Sequence, residues 1–346
     1  MRIFVINPGS TSTKLALVEL ADTEATIIER RELSHPGPLE PAADLARRRT
    51  LLEGEWALWQ EAAAIAAQGG LLGPIPAGVY PVTEALVTAS LSSPYGFHPA
   101  NLAAPLADAL AKRLGRPAFV VDPPSVDEMV PISRISGVPG VARRSRVHAL
   151  NLRFVARRLA ETLGAKLEKL TLIGAHLGGG STCALFQGGR MIDTTDGLLG
   201  EGPFSPNRAG TVPIHGVLSL IEQHGLDGAK ELLARRSGFL GLLGTQDLRE
   251  LSSRALEPEV AIVIEAYALS VAKALVGLAA HARPRAFFLT GGAARFEAAV
   301  SLIKTRLEWL APVYLYPGEF EAEALALGVY RVLSGLEPSR AYPPSA

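Results

Sequence analysis

The sequence predicts a two-domain α/β protein built on a duplicated unit, and three observations carry that prediction. Its 346 residues exceed what one hydrophobic core usually organises. Apolar runs of strand length alternate with stretches whose apolar residues recur at helical spacing. Residues 3–18 read as an apolar run, a Gly/Ser/Thr turn and a second apolar run, and residues 170–186 repeat that pattern. Each is a β-hairpin pattern, and one early in each half indicates duplication rather than a single Rossmann sheet.

Between the hairpins, residues 101–114 carry leucine at 102, 106, 110 and 114, a spacing that lines one helix face. Pro105 falls near the first turn of that helix, where proline is tolerated. A strand at 118–121 ends in Asp122-Pro123-Pro124, which breaks regular structure. Residues 147–163 form an arginine-rich helix that Gly164 stops. Residues 259–282 predict a long helix, and 286–292 a strand running into a glycine pair before another helix from about Arg295. A last helix at 321–335 is expected to return to the first domain, with a frayed Pro/Ser tail behind it. Residues 33–49 are polar, with 35–38 reading as a loop. The expected division is 1–125 with 320–346 against 126–319.

Thirty-four basic and thirty-four acidic side chains cancel, which argues against a dedicated nucleic-acid binder. Charged residues make up 20% and hydrophobic ones 48%, so the chain is not disordered. The single cysteine, Cys183, forbids an internal disulfide and fits a reducing compartment. The opening residues MRIFVINPGS show no signal-peptide pattern, and the apolar stretch 260–281 carries Glu265 and Lys273. A soluble cytoplasmic protein without a membrane span is therefore expected.

Three glycine turns follow apolar strands, at Gly9, at Gly178-Gly179-Gly180 and at Gly291-Gly292. Glycine lets backbone amides approach a phosphate, and nearby hydroxyls add donors. Neither a G-x-x-x-x-G-K-[ST] loop nor a G-x-G-x-x-G fingerprint occurs, which removes the usual P-loop and dinucleotide routes.

Several ordered strings extend this pattern: Val5-Ile6-Asn7-Pro8-Gly9-Ser10-Thr11-Ser12-Thr13-Lys14, Val121-Asp122-Pro123, Val126-Asp127-Glu128-Met129, Arg134-Ile135-Ser136-Gly137 and His148-Ala149-Leu150-Asn151. Ala175-His176-Leu177-Gly178-Gly179-Gly180, Gly200-Glu201-Gly202-Pro203-Phe204-Ser205-Pro206-Asn207-Arg208, Leu289-Thr290-Gly291-Gly292 and Tyr316-Pro317-Gly318-Glu319 follow. On these strings, which span nearly the whole chain, it resembles the acetate and butyrate kinases, butyrate kinase most closely. The resemblance implies the duplicated ribonuclease H-like fold of the actin, sugar kinase and heat-shock ATPase superfamily, with an interdomain cleft. It also implies ATP/ADP and Mg²⁺ as cofactors, a short-chain carboxylate as substrate, and a homodimer or higher homo-oligomer.

The resemblance assigns roles residue by residue. Asn7 corresponds to the phosphate–metal contact, although asparagine also suits turn geometry. Ser10, Ser12 and Lys14 either reach the nucleotide phosphates or, respectively, close the turn and face solvent. His176 with Gly178, Gly179 and Gly180 matches the turn that holds the nucleotide phosphates, in the triple-glycine form of the butyrate branch. His148 matches the histidine that stabilises the phosphoryl group in flight, and Arg208 the arginine that neutralises acyl and phosphoryl charge. Asp122 matches a metal- or substrate-positioning aspartate, or else caps the break before its prolines. His98 matches a substrate-side histidine, although the acetate branch has one more residue in that string. Asp247 and Arg249 match a segment flanking adenosine, and Gly291 and Gly292 the turn beneath the purine and ribose. Glu323 aligns with a metal-linked glutamate, with Glu319 and Glu321 as competitors.

Gln68 departs from the family, whose members carry arginine before Gly69-Gly70. Either another cation substitutes, with Arg134 and Arg143 as candidates, or the substrate or activity level differs. The expected reaction is reversible in-line transfer between ATP and butyrate or isobutyrate. The alternatives are acetate, propionate or another small-molecule acceptor, or a nucleotide-binding sensor without transfer chemistry.

Overall fold

In the computed structural model, residues 1–21, 24–37 and 39–343 are described. The chain divides into one unit of Met1–Val126 joined by the segment from Phe320, and a second unit of Asp127–Glu319.

The first unit holds six strands: β1 (Arg2–Pro8), β2 (Ser12–Ala21), β3 (Glu24–Ser34), β4 (Ala64–Ala67), β5 (Val79–Pro81) and β6 (Ala118–Val121). Their order is β3-β2-β1-β4-β6-β5. β1 pairs antiparallel with β2 and parallel with β4, and β4 pairs parallel with β6. Central strands β4 and β6 are wholly buried apolar runs, as covering on both faces requires. Edge strand β3 carries the charged run Glu29-Arg30-Arg31-Glu32 and stays largely exposed.

Pleating sends Phe4 and Ile6 to one face, where they pack with Leu102, Leu106 and Leu110 of the helical region ending at Leu114. The opposite face receives the final helix, Glu321–Leu333, which buries Ala324, Leu325, Ala326 and Val329. That helix packs on β1, β2 and β4, so the end of the chain completes the first sheet.

The second unit carries β7 (Thr171–Leu177), β8 (Ser181–Gln187), β9 (Arg190–Thr194), β10 (Ala286–Gly291) and β11 (Val313–Pro317) in the order β11-β10-β7-β8-β9. β7 pairs antiparallel with β8 and parallel with β10, which pairs parallel with β11. Read from each hairpin, both sheets run third, second, first, fourth strand with the same polarities, so the repeat is structural. The helix Pro258–Leu278 is apolar and long enough to cross a membrane. Its inward face, including Ile264, Tyr267, Val271 and Leu275, is packed in the core against Ile173, Leu185 and Leu289.

Two expectations change. The polar stretch at 33–49 contains most of a helix, Pro41–Gly54, whose buried positions are Asp44, Arg48 and Leu52, so no apolar stripe announces it. Of the loop at 35–38, Pro38 lies outside the described residues. The tail is docked as far as Tyr342: Arg340 donates its amide to the Val79 carbonyl at 2.8 Å, and the Tyr342 hydroxyl donates to the Leu72 carbonyl at 3.0 Å. Residues 344–346 lie outside the described residues.

Because Leu325 is fully buried beneath the first sheet, Leu325→Ala should cost about 2–5 kcal/mol of stability, as truncation of a packed core leucine does. Urea unfolding followed by circular dichroism measures this; a change below about 0.5 kcal/mol would mean that the final helix is not part of that core.

Candidate active site

In the first unit the β1–β2 register sets Asn7 opposite Lys14, and the turn between them closes with the Gly9 amide on the Ser12 carbonyl at 2.8 Å. Asn7 Nδ2 donates to Glu321 Oε2 at 2.7 Å, and Lys14 Nζ lies 3.9 Å from the same oxygen. Glu321 opens the final helix, whose packing on β1 and β2 delivers it there. Glu323 instead reaches Arg30 of β3 at 3.5 Å, and its Oε2 is buried without a hydrogen-bond partner. Glu319 is the last residue of the second unit. The structure thus joins Asn7 to Glu321 rather than to Glu323.

Ser12 is buried and donates its hydroxyl to Glu32 at 2.6 Å, whereas Ser10 is exposed in the turn. Asp122 follows β6 with φ of 37°, unusual for a residue with a side chain. Two bonds hold it there: Oδ1 accepts from the Gly78 amide at 2.7 Å, and its own amide donates to the Gly78 carbonyl at 3.0 Å. His98 is exposed and caps the turn Pro99–Leu102, its Nδ1 accepting from the Ala100 amide at 3.2 Å. Gln68 follows β4. A Cβ at Gly70 would come within 2.5 Å of the Asn101 backbone, so close packing explains that glycine.

Among the described residues no group of three or more His, Cys, Asp or Glu could cage a metal ion. The Asn7 amide and Glu321 carboxylate nevertheless suit Mg²⁺. That ion takes one or two protein oxygens and completes its shell with water and phosphate.

In the second unit the same hairpin logic operates. On β7, His176 shares a pleat face with Leu172 and Gly174, the face covered by the helix Ala149–Thr162. His148 immediately precedes that helix, and its ring stacks on His176 with centroids 3.9 Å apart and planes 11° from parallel. A Cβ on Gly180 would lie 2.6 Å from Arg208 Nη1 and 3.4 Å from His148 Cε1. The turn Gly178–Gly180, both histidines and Arg208 therefore form one cluster.

His148 Nδ1 lies 3.0 Å from Thr182 Oγ1. His148 is half-buried, and burial, with Arg208 nearby, pushes its pKa down to about 4. Burial, reinforced by His148, also holds His176 well below its ordinary value, and its Nδ1 has no partner. Burial lowers the pKa of Arg208 against the opposing pull of Asp196.

Arg208 donates to the Gly197 carbonyl rather than to a carboxylate. By contrast, Arg134 is bidentate on Asp127 at 2.7 and 2.6 Å, and Arg143 is bound to Glu201 at 2.5 Å and Asp193 at 3.0 Å. The two candidate replacements for the missing arginine are thus committed to carboxylates.

Gly291 ends β10 at φ of 89°, and a Cβ there would sit 2.2 Å from the Leu177 carbonyl oxygen. Gly292 begins the short turn that follows. Asp247 and Arg249 are exposed at the start of the helix Leu248–Ser253, with Asp247 Oδ1 accepting from the Arg249 amide at 2.8 Å.

Sequence reading missed Ser205 as a support for this turn: its hydroxyl donates to the Gly179 carbonyl at 2.7 Å. A serine inside Pro203-Phe204-Ser205-Pro206 gives no local sign of a partner 26 residues away.

Both stacked histidines bind a proton more readily in the unfolded chain, where the ordinary value is 6.5. Between pH about 4 and 6.5 the unfolded state holds more protons, so stability should rise with pH across that window and level above it. Urea titrations from pH 4.5 to 8 should show this slope, reduced in His148→Asn. An unchanged slope in that variant would assign the pH dependence to other groups.

The family model described as the acetokinase family matches residues 136–311, just over half of the chain. Acetate kinase of Porphyromonas gingivalis is similar in structure at a TM-score of 0.79 and 20% identity, with 97% of this chain and 100% of that one covered. A propionate kinase from Francisella tularensis subsp. tularensis SCHU S4 gives 0.74 at 18% identity, covering 94% and 98%. Acetate kinase from Entamoeba histolytica gives 0.75 at 16% identity, covering 95% and 99%. These likenesses show that the chain shares the fold of those acetate and propionate kinases.

Proposed function

The chain belongs to the acetokinase family of carboxylate kinases, and from that premise we propose that it transfers phosphate reversibly between ATP and a short-chain carboxylate, butyrate or isobutyrate. One observation carries the reading above all. Arg208 is half-buried against a glycine turn and two neutral imidazoles, with a carbonyl rather than a carboxylate as its hydrogen-bond acceptor. A guanidinium in that state gains by receiving an anion, and its fixed donors suit phosphate.

A carboxylate is ionised at neutral pH, so the acceptor needs no general base. Its oxygen forms a bond to the γ-phosphorus as the bond to the ADP oxygen breaks, and no proton has to move. What remains is alignment and stabilisation of spread negative charge. The Gly178–Gly180 turn holds the nucleotide phosphates, and Arg208 neutralises acyl and phosphoryl charge. His148 is neutral at pH 7, and when the Thr182 hydroxyl donates to Nδ1, its Nε2–H serves the transferring group. Asn7 and Glu321 would hold Mg²⁺, which when bound would neutralise charge at the phosphate oxygens. Asp122 positions the acceptor side, while Asp247, Arg249, Gly291 and Gly292 flank the nucleoside.

The butyrate-type strings support the longer acyl chain, and Gln68 adds a physical reason. With one fewer cation for the carboxylate, binding leans more on apolar contact, and each buried methylene contributes about 0.8 kcal/mol. Butyrate offers two methylenes more than acetate.

An ATP/Mg²⁺ assay across acetate, propionate, butyrate, isobutyrate and isovalerate, with acyl phosphate trapped by hydroxylamine, tests both levels. Hydroxamate should form best from the four-carbon acids. None from any acid, despite measured ATP binding, would sink the kinase reading; a clear acetate preference would sink only the chain-length assignment. The metal assignment is separable. Glu321→Gln should raise the Mg²⁺ requirement and lower kcat by roughly 10²-fold, a loss in the range that electrostatic groups give. Glu323→Gln should change kcat by less than about threefold. The reverse ranking would restore Glu323 as the metal-linked residue.

A further inference from the structure

The β1–β2 turn rests on a guanidinium that the reaction as described leaves unused. Arg48, midway along the helix Pro41–Gly54, is 1% exposed. Its Nη1 donates to Thr13 Oγ1 at 2.6 Å and to the Ser12 carbonyl at 3.2 Å. Its Nη2 donates to the Gly9 carbonyl at 2.8 Å and to Asp44 Oδ2 at 3.1 Å. Asp44 gives its other oxygen to Arg47 Nη2 at 2.6 Å, and Arg47 reaches the Pro36 carbonyl at 2.8 Å and His35 Nδ1 at 3.2 Å. The His35 amide then closes on the Thr11 carbonyl at 3.0 Å.

The carbonyls of Gly9, Thr11 and Ser12 are therefore all bonded within the protein. The amides of Ser10 and Thr11 take no partner among the described residues. Burying this arginine is costly: Asp44 is shared between two guanidiniums, and Arg48 Nε has no partner. An apolar side chain of similar volume often makes a core at least as stable. Stability alone is a weak reason for a fork aimed at one turn.

We propose that Arg48 is a positioning residue for this turn, fixing its carbonyl side so that the Ser10 and Thr11 amides and the Asn7 side chain stay directed at the transferred phosphate. The inference rests on the kinase reading for the identity of that phosphate. Lysine would keep the charge, but its point-like ammonium cannot reproduce the planar fork that serves Gly9 and Thr13 from separate arms.

The full-length protein carrying Arg48→Lys or Arg48→Ala tests this through hydroxamate kinetics, ATP binding by calorimetry and amide hydrogen exchange. Arg48→Lys should lower kcat about tenfold or more and leave the ATP Kd within about twofold. It should speed exchange at residues 9–13 and leave residues 172–187 unchanged. Guanidinium ion at tens of millimolar should restore part of kcat to Arg48→Ala and none to Arg48→Lys, a rescue that general destabilisation would not produce. Wild-type kcat and exchange in Arg48→Lys, or a loss of protection spread over the whole first unit, overturns the proposal. If Arg48→Ala does not fold, Thr13→Val removes the 2.6 Å acceptor alone; it should lower kcat severalfold, and wild-type kcat there overturns the proposal. If the wild-type protein phosphorylates no carboxylate, the kinase reading fails separately and the exchange data decide: faster exchange confined to 9–13 upholds the positioning role, and unchanged exchange ends it.

Discussion

A turn that offers its amide hydrogens to an anion must send its carbonyl oxygens elsewhere, and those oxygens need donors of their own. On the proposed kinase reading, that constraint governs both hairpins. In the first unit the donors come from a helix more than thirty residues away, through Arg48 on Gly9 and Ser12. In the second, Ser205 takes the Gly179 carbonyl, and the Gly178 amide takes that of Gly180. The sheets follow from the same need. Each turn is held by an antiparallel pair whose first strand also pairs in parallel with a central strand, so the turn sits on a rigid base.

Charge obeys a related rule. With 34 cations and 34 anions the chain has no general positive field, and anion affinity must be local. Most buried or half-buried guanidiniums of the second unit are neutralised in place, Arg134 by Asp127, Arg146 by Asp196 and Arg153 by Glu128. Removing any of those arginines for another duty would strand a carboxylate with little access to water, at a cost of several kcal/mol. Arg208 is different because its acceptor is a peptide carbonyl. Its position against Gly180 matters as much as its charge, since even a methyl group there would collide with the guanidinium.

The hairpins, the strand entering Gly291 and the long apolar helix were legible because each leaves a local periodic signal. The helix Pro41–Gly54 was not, because its inward side chains include Asp44 and Arg48, which read as solvated surface. The same blindness hid the support of the first turn, whose bonds span 35 to 39 residues. The docked tail was misread for the opposite reason: its Pro/Ser composition signals fraying, yet one tyrosine hydroxyl and one backbone amide tie it to the first unit. His148 and His176 could be named from their strings. Their stacking could not, because it requires a strand face and a helix start to meet.

The choice between Glu321 and Glu323 shows what three dimensions add to alignment. Two residues along an α-helix is a rotation of about 200°, so these two carboxylates cannot serve the same neighbour. Packing of Ala324, Leu325 and Ala326 into the first sheet fixes the helix's rotation, and that rotation decides which glutamate meets β1. Glu321 then shares its oxygen with Asn7 and faces Lys14, while Glu323 is turned to β3 and Arg30. An apolar core contact three to five residues beyond Glu321 thus selects the acidic group that meets β1. Sliding the register by two residues would exchange the glutamates only by pulling Leu325 out of its buried site, a cost comparable to truncating a core leucine.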